Sequence, residues 1–193
     1  MEDFLPLFNY LQLFQPISVE DWLLIQASLT IRRLNENDEL LQKGQTAREM
    51  FFVRNGVLRI VKHTDTGNDM TVFFLNENCF CTFIDSFANN TPIHESLQAS
   101  CDTDLIILTK KNLYTLYEKL PYLRELLGHI VQQSLLNKIT TRNMFMGQNA
   151  SNGYRTFLQH QPDIALRVSL GDIASYLGIT QQSLSRIRQK ISA

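Results

Sequence analysis

Between residues 31 and 108 the chain consists of short β-type runs separated by turn signals, with helical periodicity on either side. The runs are 31–34, 40–42, 50–54, 57–63, 70–75 and 105–108. NEND (35–38), Lys43-Gly44, Asn55-Gly56 and TDTGND (64–69) stand between them. Strands at such even spacing form an antiparallel barrel or sandwich. Asn55-Gly56 is the preferred pair for a tight hairpin turn, and Gly67-Asn68 marks another reversal. Strands do not alternate with helices, and no glycine-rich phosphate loop occurs. Both facts count against a nucleotide-dependent α/β enzyme.

The flanks are helical. Leu7, Tyr10, Leu11 and Phe14 recur at helical spacing until Pro16 interrupts. Ser18 is the N-cap of a second helix carrying Trp22, Leu23, Ile25 and Leu29, with Asp21 in the capping-box position. Beyond the strands, 111–120 reads as a short helix, and Pro121 suits the first turn of the next. There Leu123, Leu127, Ile130 and Ser134 form one stripe, and Leu126, Val131, Leu135 and Ile139 a second beside it. About 25 residues at 1.5 Å each make a rod of about 38 Å. Two stripes exceed what packing on one side of a small barrel requires. The helix is therefore expected to dimerise through Leu123, Leu127, Ile130 and Ser134, a long core helix being the alternative. GQNASNG (147–153) has the composition of a hinge, followed by a helix over 154–161 and Pro162.

A length of 193 residues suits one large domain or two small ones, and 44% hydrophobic residues with 12 Phe suffice for a buried core. The net charge of −1 conceals a split. Residues 1–136 carry 11 Lys and Arg against 17 Asp and Glu, whereas residues 137–193 carry 7 against 2. A basic terminal segment on an acidic body is a mark of nucleic-acid binding. Cys79, Cys81 and Cys101 have no zinc or iron–sulfur spacing and read as reduced thiols. The start MEDFLPLF is acidic where a signal peptide is basic, and no apolar run is long enough to span a membrane. A soluble, cytoplasmic protein is expected.

Residues 170–190, LGDIASYLGITQQSLSRIRQK, carry the most specific pattern. Ile173, Ala174 and Leu177 give a short helix its buried face, and Gly178 stands where that helix must turn. Ile179 plugs the corner, Thr180 caps the next helix, and Leu184 and Ile187 are its buried positions. The small Ala174 lets two helices cross steeply. This is the helix-turn-helix pattern. Its second helix presents Gln181, Gln182, Ser183, Ser185, Arg186 and Gln189 outward. Gln can read adenine and Arg guanine by paired hydrogen bonds, so Gln181, Gln182 and Arg186 are the candidate base contacts. Thr180, Ser183, Arg188 and Lys190 suit phosphate oxygens, which position without reading. For Arg188 and Lys190 a solvated helix end is an equal reading.

The combination resembles the Crp/Fnr family of bacterial transcription regulators over nearly the whole chain. It is most similar to the short form common in the Bacteroidetes, which ends just after the recognition helix. The marks are Lys43-Gly44, FFVRNGVLR (51–59), the turn at Thr66-Gly67, ASYLGI (174–179) and LSRI (184–187). The resemblance implies an α+β fold with four parts. These are an N-terminal double-stranded β-helix (a jelly-roll-like β-roll), flanking helices, a long dimerisation helix and a C-terminal helix-turn-helix. It divides the chain into a sensor domain (1–120), a dimerisation helix (121–146) and a DNA-binding domain (147–193). It also places the family's base-contacting positions on Gln181, Gln182 and Arg186. Family members that bind cyclic nucleotides use a Gly-Glu pair for the ribose and an Arg-Ser pair for the phosphate. Counted from Asn55-Gly56, these fall on Thr82-Phe83 and Ile93-His94. Phe83 cannot accept a hydroxyl and Ile93 cannot neutralise a phosphate, so the effector pocket is degenerate. His94 reads as an ordinary, partly exposed histidine, or else as a weak anion contact. With no cysteine before Cys79, the family's oxygen-sensing cluster is not expected. A haem would fall to His63, whose place beside a turn reads as structural.

The expectation is a homodimeric, sequence-specific DNA-binding regulator that recognises a roughly palindromic operator in double-stranded DNA. It would not respond to cyclic AMP or GMP, would carry no metal or cofactor, and would leave room for an unknown small-molecule effector. The alternative is a small-molecule sensor or protein-interaction module whose helix-turn-helix no longer binds DNA. Four scattered histidines and no nucleophile–base pair leave an enzyme without catalytic residues.

Overall fold

The computed structural model describes residues 2–63 and 69–192. A 3₁₀ turn at Glu2–Phe4 leads into α1 (Leu5–Gln12), with Pro6 in its first turn and Leu7 and Leu11 buried. Ser18 caps α2 (Val19–Ala27), its hydroxyl accepting from the Asp21 N–H at 3.1 Å, and the helix buries Trp22 and Ile25. Eight strands follow: β1 (Leu29–Leu34), β2 (Glu39–Leu41), β3 (Glu49–Asn55), β4 (Leu58–His63), β5 (Asp69–Leu75), β6 (Phe80–Cys81), β7 (Ser96–Ala99) and β8 (Thr103–Thr109). They form two antiparallel four-stranded sheets, in the orders β1-β8-β3-β6 and β2-β7-β4-β5. The short α3 (Ile84–Asn89) lies between β6 and β7. Phe51, Leu58 and Leu105, each fully out of solvent, represent both sheets in the core. Burying one such side chain is worth about 1.5–3 kcal/mol. The α+β β-roll expected from the sequence is present.

Leu29, expected on the second helix, instead opens β1, and three larger expectations need correction. The first concerns Asn55-Gly56, which does not close a hairpin: β3 pairs with β6 and β8, whereas β4 pairs with β5 and β7. The pair is a corner at which the chain changes sheets. Gly56 has φ +101°, and a Cβ there would lie 2.5 Å from the Asp102 carbonyl oxygen and 2.7 Å from Thr103 Cα. Left-handed backbone and close approach both demand glycine, but neither fixes the strand partner. The reversals at Thr66-Gly67 and Gly67-Asn68 lie outside the described residues.

The second correction concerns the long helix. After α4 (Lys110–Lys119), α5 (Tyr122–Phe145) runs for 24 residues. Leu123, Leu127 and Ile130, expected at a dimer interface, are packed with Leu126 into the core of the β-roll and are buried. Ser134 is half-buried beside Cys79. Core packing claims this stripe because α1 and α4 close over it together with the sheet. The apolar side chains that α5 leaves exposed are Leu135 (45%), Leu136 (52%) and Ile139 (57%).

The third concerns the hinge. Asn149 caps α6 (Ala150–His160) by accepting from the Asn152 N–H at 3.0 Å, so only Met146–Asn149 is non-helical. Polar composition suggested a loop over 147–153, but an Asn cap and the α6 face of Tyr154 and Phe157 carry the helix back to Ala150. Three further helices complete the chain: α7 (Pro162–Arg167), α8 (Leu170–Tyr176) and α9 (Gln181–Ser192). Tyr154, Phe157, Ile164, Ile173, Ala174 and Leu184 form their core, which also takes in Val57 from the β3–β4 corner.

Candidate nucleic-acid interface

α8 and α9 are joined as the sequence requires. Ser169 caps α8, accepting from the Asp172 N–H at 3.0 Å. At its end the Ile179 N–H donates to the Ala174 carbonyl (3.0 Å) and the Gly178 N–H to the Ser175 carbonyl (3.1 Å). Gly178 has φ +66°. This pair of bonds around a left-handed glycine is the Schellman termination of a helix. Thr180 caps α9, its hydroxyl accepting from the Ser183 N–H at 3.2 Å and lying 3.0 Å from the Ser183 hydroxyl. Ala174 is 2% exposed and Leu184 fully buried, so the two helices cross on a small residue and a leucine anchor.

Opposite that anchor the helix face is open. Gln181, Gln182, Ser183, Ser185, Arg186 and Gln189 are exposed, as are Thr180, Arg188 and Lys190. Gln181, Gln182 and Arg186 lie at relative positions one, two and six of α9, on one side of its first two turns. No acidic residue stands in the first turn of α9. Arg186, Arg188 and Lys190 form no salt bridge with any described residue. The arrangement offers two amides and a guanidinium to base edges, with hydroxyls and cations alongside for phosphate oxygens.

The four positions expected to form a degenerate effector pocket lie between β6 and β7 of the β-roll. Thr82 and Phe83 directly precede α3, and Ile93 and His94 precede β7. The Thr82 hydroxyl donates to the Glu49 carbonyl at 2.9 Å, and Phe83 packs against the core. Ile93 is buried and paired through its backbone with Gly44 and Gln45, whereas His94 is exposed. The cleft between this segment and α5, lined by Cys81, Thr82, Ile84, Val131 and Leu135 among others, measures about 30 Å³. Small-molecule sites start at about 300 Å³. Phe83 offers no carboxylate to a ribose and Ile93 no cation to a cyclic phosphate, and the polar groups among the four are the Thr82 hydroxyl, which donates to Glu49, and the exposed His94.

His63 is committed elsewhere: Nδ1 lies 2.7 Å from Asp69 Oδ1 and Nε2 2.7 Å from the Ser96 hydroxyl. Both ring nitrogens thus face protein partners. The cysteines are free thiols; burial pushes Cys79 and Cys81 up from the ordinary thiol range, which keeps them protonated. Among the described residues no group of three or more His, Cys, Asp or Glu is placed to hold a metal, and no helix is long and apolar enough to cross a membrane.

Sequence reasoning missed the contacts between the helix-turn-helix and the β-roll. Arg59 on β4 pairs with Asp172 on α8 and also donates to Gln98 Oε1 at 3.0 Å. The Ser175 hydroxyl accepts from the Thr71 N–H (2.9 Å) and donates to the Asp69 carbonyl (3.0 Å). Arg167 grips Glu77 through both guanidinium nitrogens, and Glu77 also accepts from the Gly56 N–H at 2.8 Å. Burial tends to raise the Glu77 pKa, but the Arg167 guanidinium and the backbone N–H donors outweigh it and hold the carboxyl below its ordinary value. No local signal marks these residues, because the pairs that join the C-terminal helices to the β-roll link segments 90 or more positions apart.

Residues 31–119 match the sequence profile of the cyclic nucleotide-binding domain. Among solved structures, CLP of Xanthomonas campestris, a c-di-GMP-responsive global regulator, is similar at TM-score 0.69 and 14% identity, over 91% of this chain and 92% of that one. FixK2 of Bradyrhizobium japonicum is similar at TM-score 0.70 and 18% identity, over 85% and 84%. A protein assigned to the Crp/Fnr family of transcriptional regulators, from Eubacterium rectale, is similar at TM-score 0.71 and 17% identity, over 95% and 88%. No curated protein matches the chain. Residues 31–119 thus carry the sequence signature of the cyclic nucleotide-binding domain, and across almost its whole length the chain has the fold seen in Crp/Fnr-family transcription regulators.

Proposed function

We propose that this chain is a homodimeric, sequence-specific DNA-binding transcription regulator of the Crp/Fnr type, working in the cytoplasm without responding to cyclic AMP or cyclic GMP. The observation that carries the reading is the outer face of α9, where Gln181, Gln182 and Arg186 stand exposed over the fully buried Leu184. Residues 1–120 act as the sensor domain, 121–146 as the dimerisation helix and 147–193 as the DNA-binding domain. The exposed Leu135, Leu136 and Ile139 supply the dimer contact in place of the buried Leu123, Leu127 and Ile130. Gln181, Gln182 and Arg186 read bases, while Thr180, Ser183, Arg188 and Lys190 hold phosphates. The charge split supports the same reading, since the basic end is the one that bears α9.

A two-fold dimer would set its two recognition helices in successive major grooves about 34–36 Å apart. Selection of duplexes from a random pool by the intact protein tests this. The expected outcome is enrichment of a roughly palindromic site with half-sites one helical turn apart. A helix-turn-helix serving only as a sensor or protein-interaction module would enrich no sequence.

A further inference from the structure

Beneath the docked helix-turn-helix lies a cleft of about 350 Å³ that adjoins the small cleft beside Thr82, with Phe80, Ser134 and Lys138 lining both. Its walls come chiefly from three parts of the molecule: the β5–β6 segment, the second half of α5, and the α6–α7 junction with Tyr176 of α8, with Tyr10 of α1 also in the lining. The volume lies within the range of small-molecule sites.

The lining is specific in chemistry. Phe73, Phe74 and Tyr176 offer aromatic surface, the Phe74 and Tyr176 rings standing 5.2 Å apart between centroids. Of the charged groups, Glu77 is held by Arg167, and Asp163 is exposed at the rim, as is His160. Lys138 is half-buried, with its Nζ 5.9 Å from the Phe73 ring centroid, and forms no salt bridge with any described residue. Gln161 lines the same cleft beside the Tyr176 hydroxyl, and its Oε1 is shielded from solvent without a hydrogen-bond donor. A shielded acceptor without a donor costs free energy that a bound N–H or O–H would recover.

We propose that this cleft binds a small organic acid with a flat aromatic body and a hydroxyl or amino group. Lys138 takes the acid group, the Phe73, Phe74 and Tyr176 rings take the flat body, and Gln161 accepts the hydrogen bond. Because the walls belong to three parts, such a ligand favours the docked arrangement over any in which the helix-turn-helix has moved away. The regulatory consequence rests on the DNA-binding reading, whereas the binding itself does not.

The test uses the full chain without DNA and 6-hydroxy-2-naphthoate as probe, followed by calorimetry and by the probe's own fluorescence. Saturable one-to-one binding is expected, weakened about tenfold or more, equivalent to about 1.4 kcal/mol, when the neutral 6-hydroxy-2-naphthamide replaces the acid. Lys138→Met should weaken the acid by a similar factor, and Lys119→Met, at an exposed site on α4, should leave it unchanged. Absence of saturation at millimolar probe overturns the proposal, as does equal affinity for acid and amide. So does a folded Lys138→Met protein that binds as the wild type does. Since no DNA is present, failure here leaves the pool selection untouched, and failure of the selection leaves this result standing.

Discussion

Arg59 and Asp172, 113 positions apart in the chain, form an ion pair with both side chains largely buried, at 15% and 10% exposure. The pair joins the floor of the β-roll to the first helix of the helix-turn-helix. Removing one partner leaves the other charge in the seam with no further salt bridge among the described residues. Asp172→Ala should therefore cost about 3 kcal/mol in urea denaturation and expose the terminal domain to limited proteolysis. Arg59→Met with Asp172→Leu should recover most of the loss. Strictly additive single effects would show that the pair contributes no coupling.

Gly56 permits a test of the sheet-switching corner. Gly56→Ala forces a side chain against the Asp102 carbonyl and Thr103 at φ +101°. A loss of at least about 2 kcal/mol is expected from strain alone. Gly44→Ala is the comparison, because Gly44 also has positive φ but nothing lies within 4 Å of its added carbon. The difference between the two losses isolates the steric part.

The two sides of α5 should separate on substitution. Ile139→Glu, at an exposed position, should lower the dimer fraction in sedimentation while leaving the unfolding midpoint of the monomer nearly unchanged. Leu127→Ala opens a cavity in the β-roll core and should cost about 2–5 kcal/mol. Dissociation by Leu127→Ala with no loss of monomer stability would contradict the packing described for α5.

Glu77 predicts an acid effect with a fixed sign. Its folded pKa is lowered, so its contribution is complete above the unfolded value of about 4.3 and is lost as pH falls through the folded one. Wild type should melt above Glu77→Gln at pH 7, and the gap should close below about pH 4. A gap that stays constant into acid would remove the Arg167–Glu77 pair from the account.

What could be read from the sequence was local. Ile173, Ala174, Gly178 and Leu184 mark the helix-turn-helix because the caps and the turn that join its two helices are made within about a dozen residues. Asn55-Gly56 announced a positive φ but not its consequence, since the partners of β3 lie 28 to 60 positions away. The stripes of α5 were visible as periodicity, yet periodicity does not say whether a sheet or a second chain covers them. Strand β7 escaped notice because its polar Ser96 and Gln98 are buried beside Leu97 and Ala99, which erases the alternation. Those polar groups are satisfied by His63, Arg59 and Glu39, partners that no pattern within β7 reveals. The cleft beneath the helix-turn-helix was invisible for the same reason, being assembled from three distant segments.

The central claim is that α9 reads bases. Fluorescence anisotropy of the intact protein on its selected duplex and on a scrambled one, at two salt concentrations, tests it most directly. The account predicts a steep loss of affinity with salt on both duplexes and a clear preference for the selected one. Arg186→Ala should forfeit about 1–3 kcal/mol of that preference while retaining most of the salt-dependent binding. Equal binding of both duplexes by the wild type, or an unchanged preference in a folded Arg186→Ala protein, would contradict it.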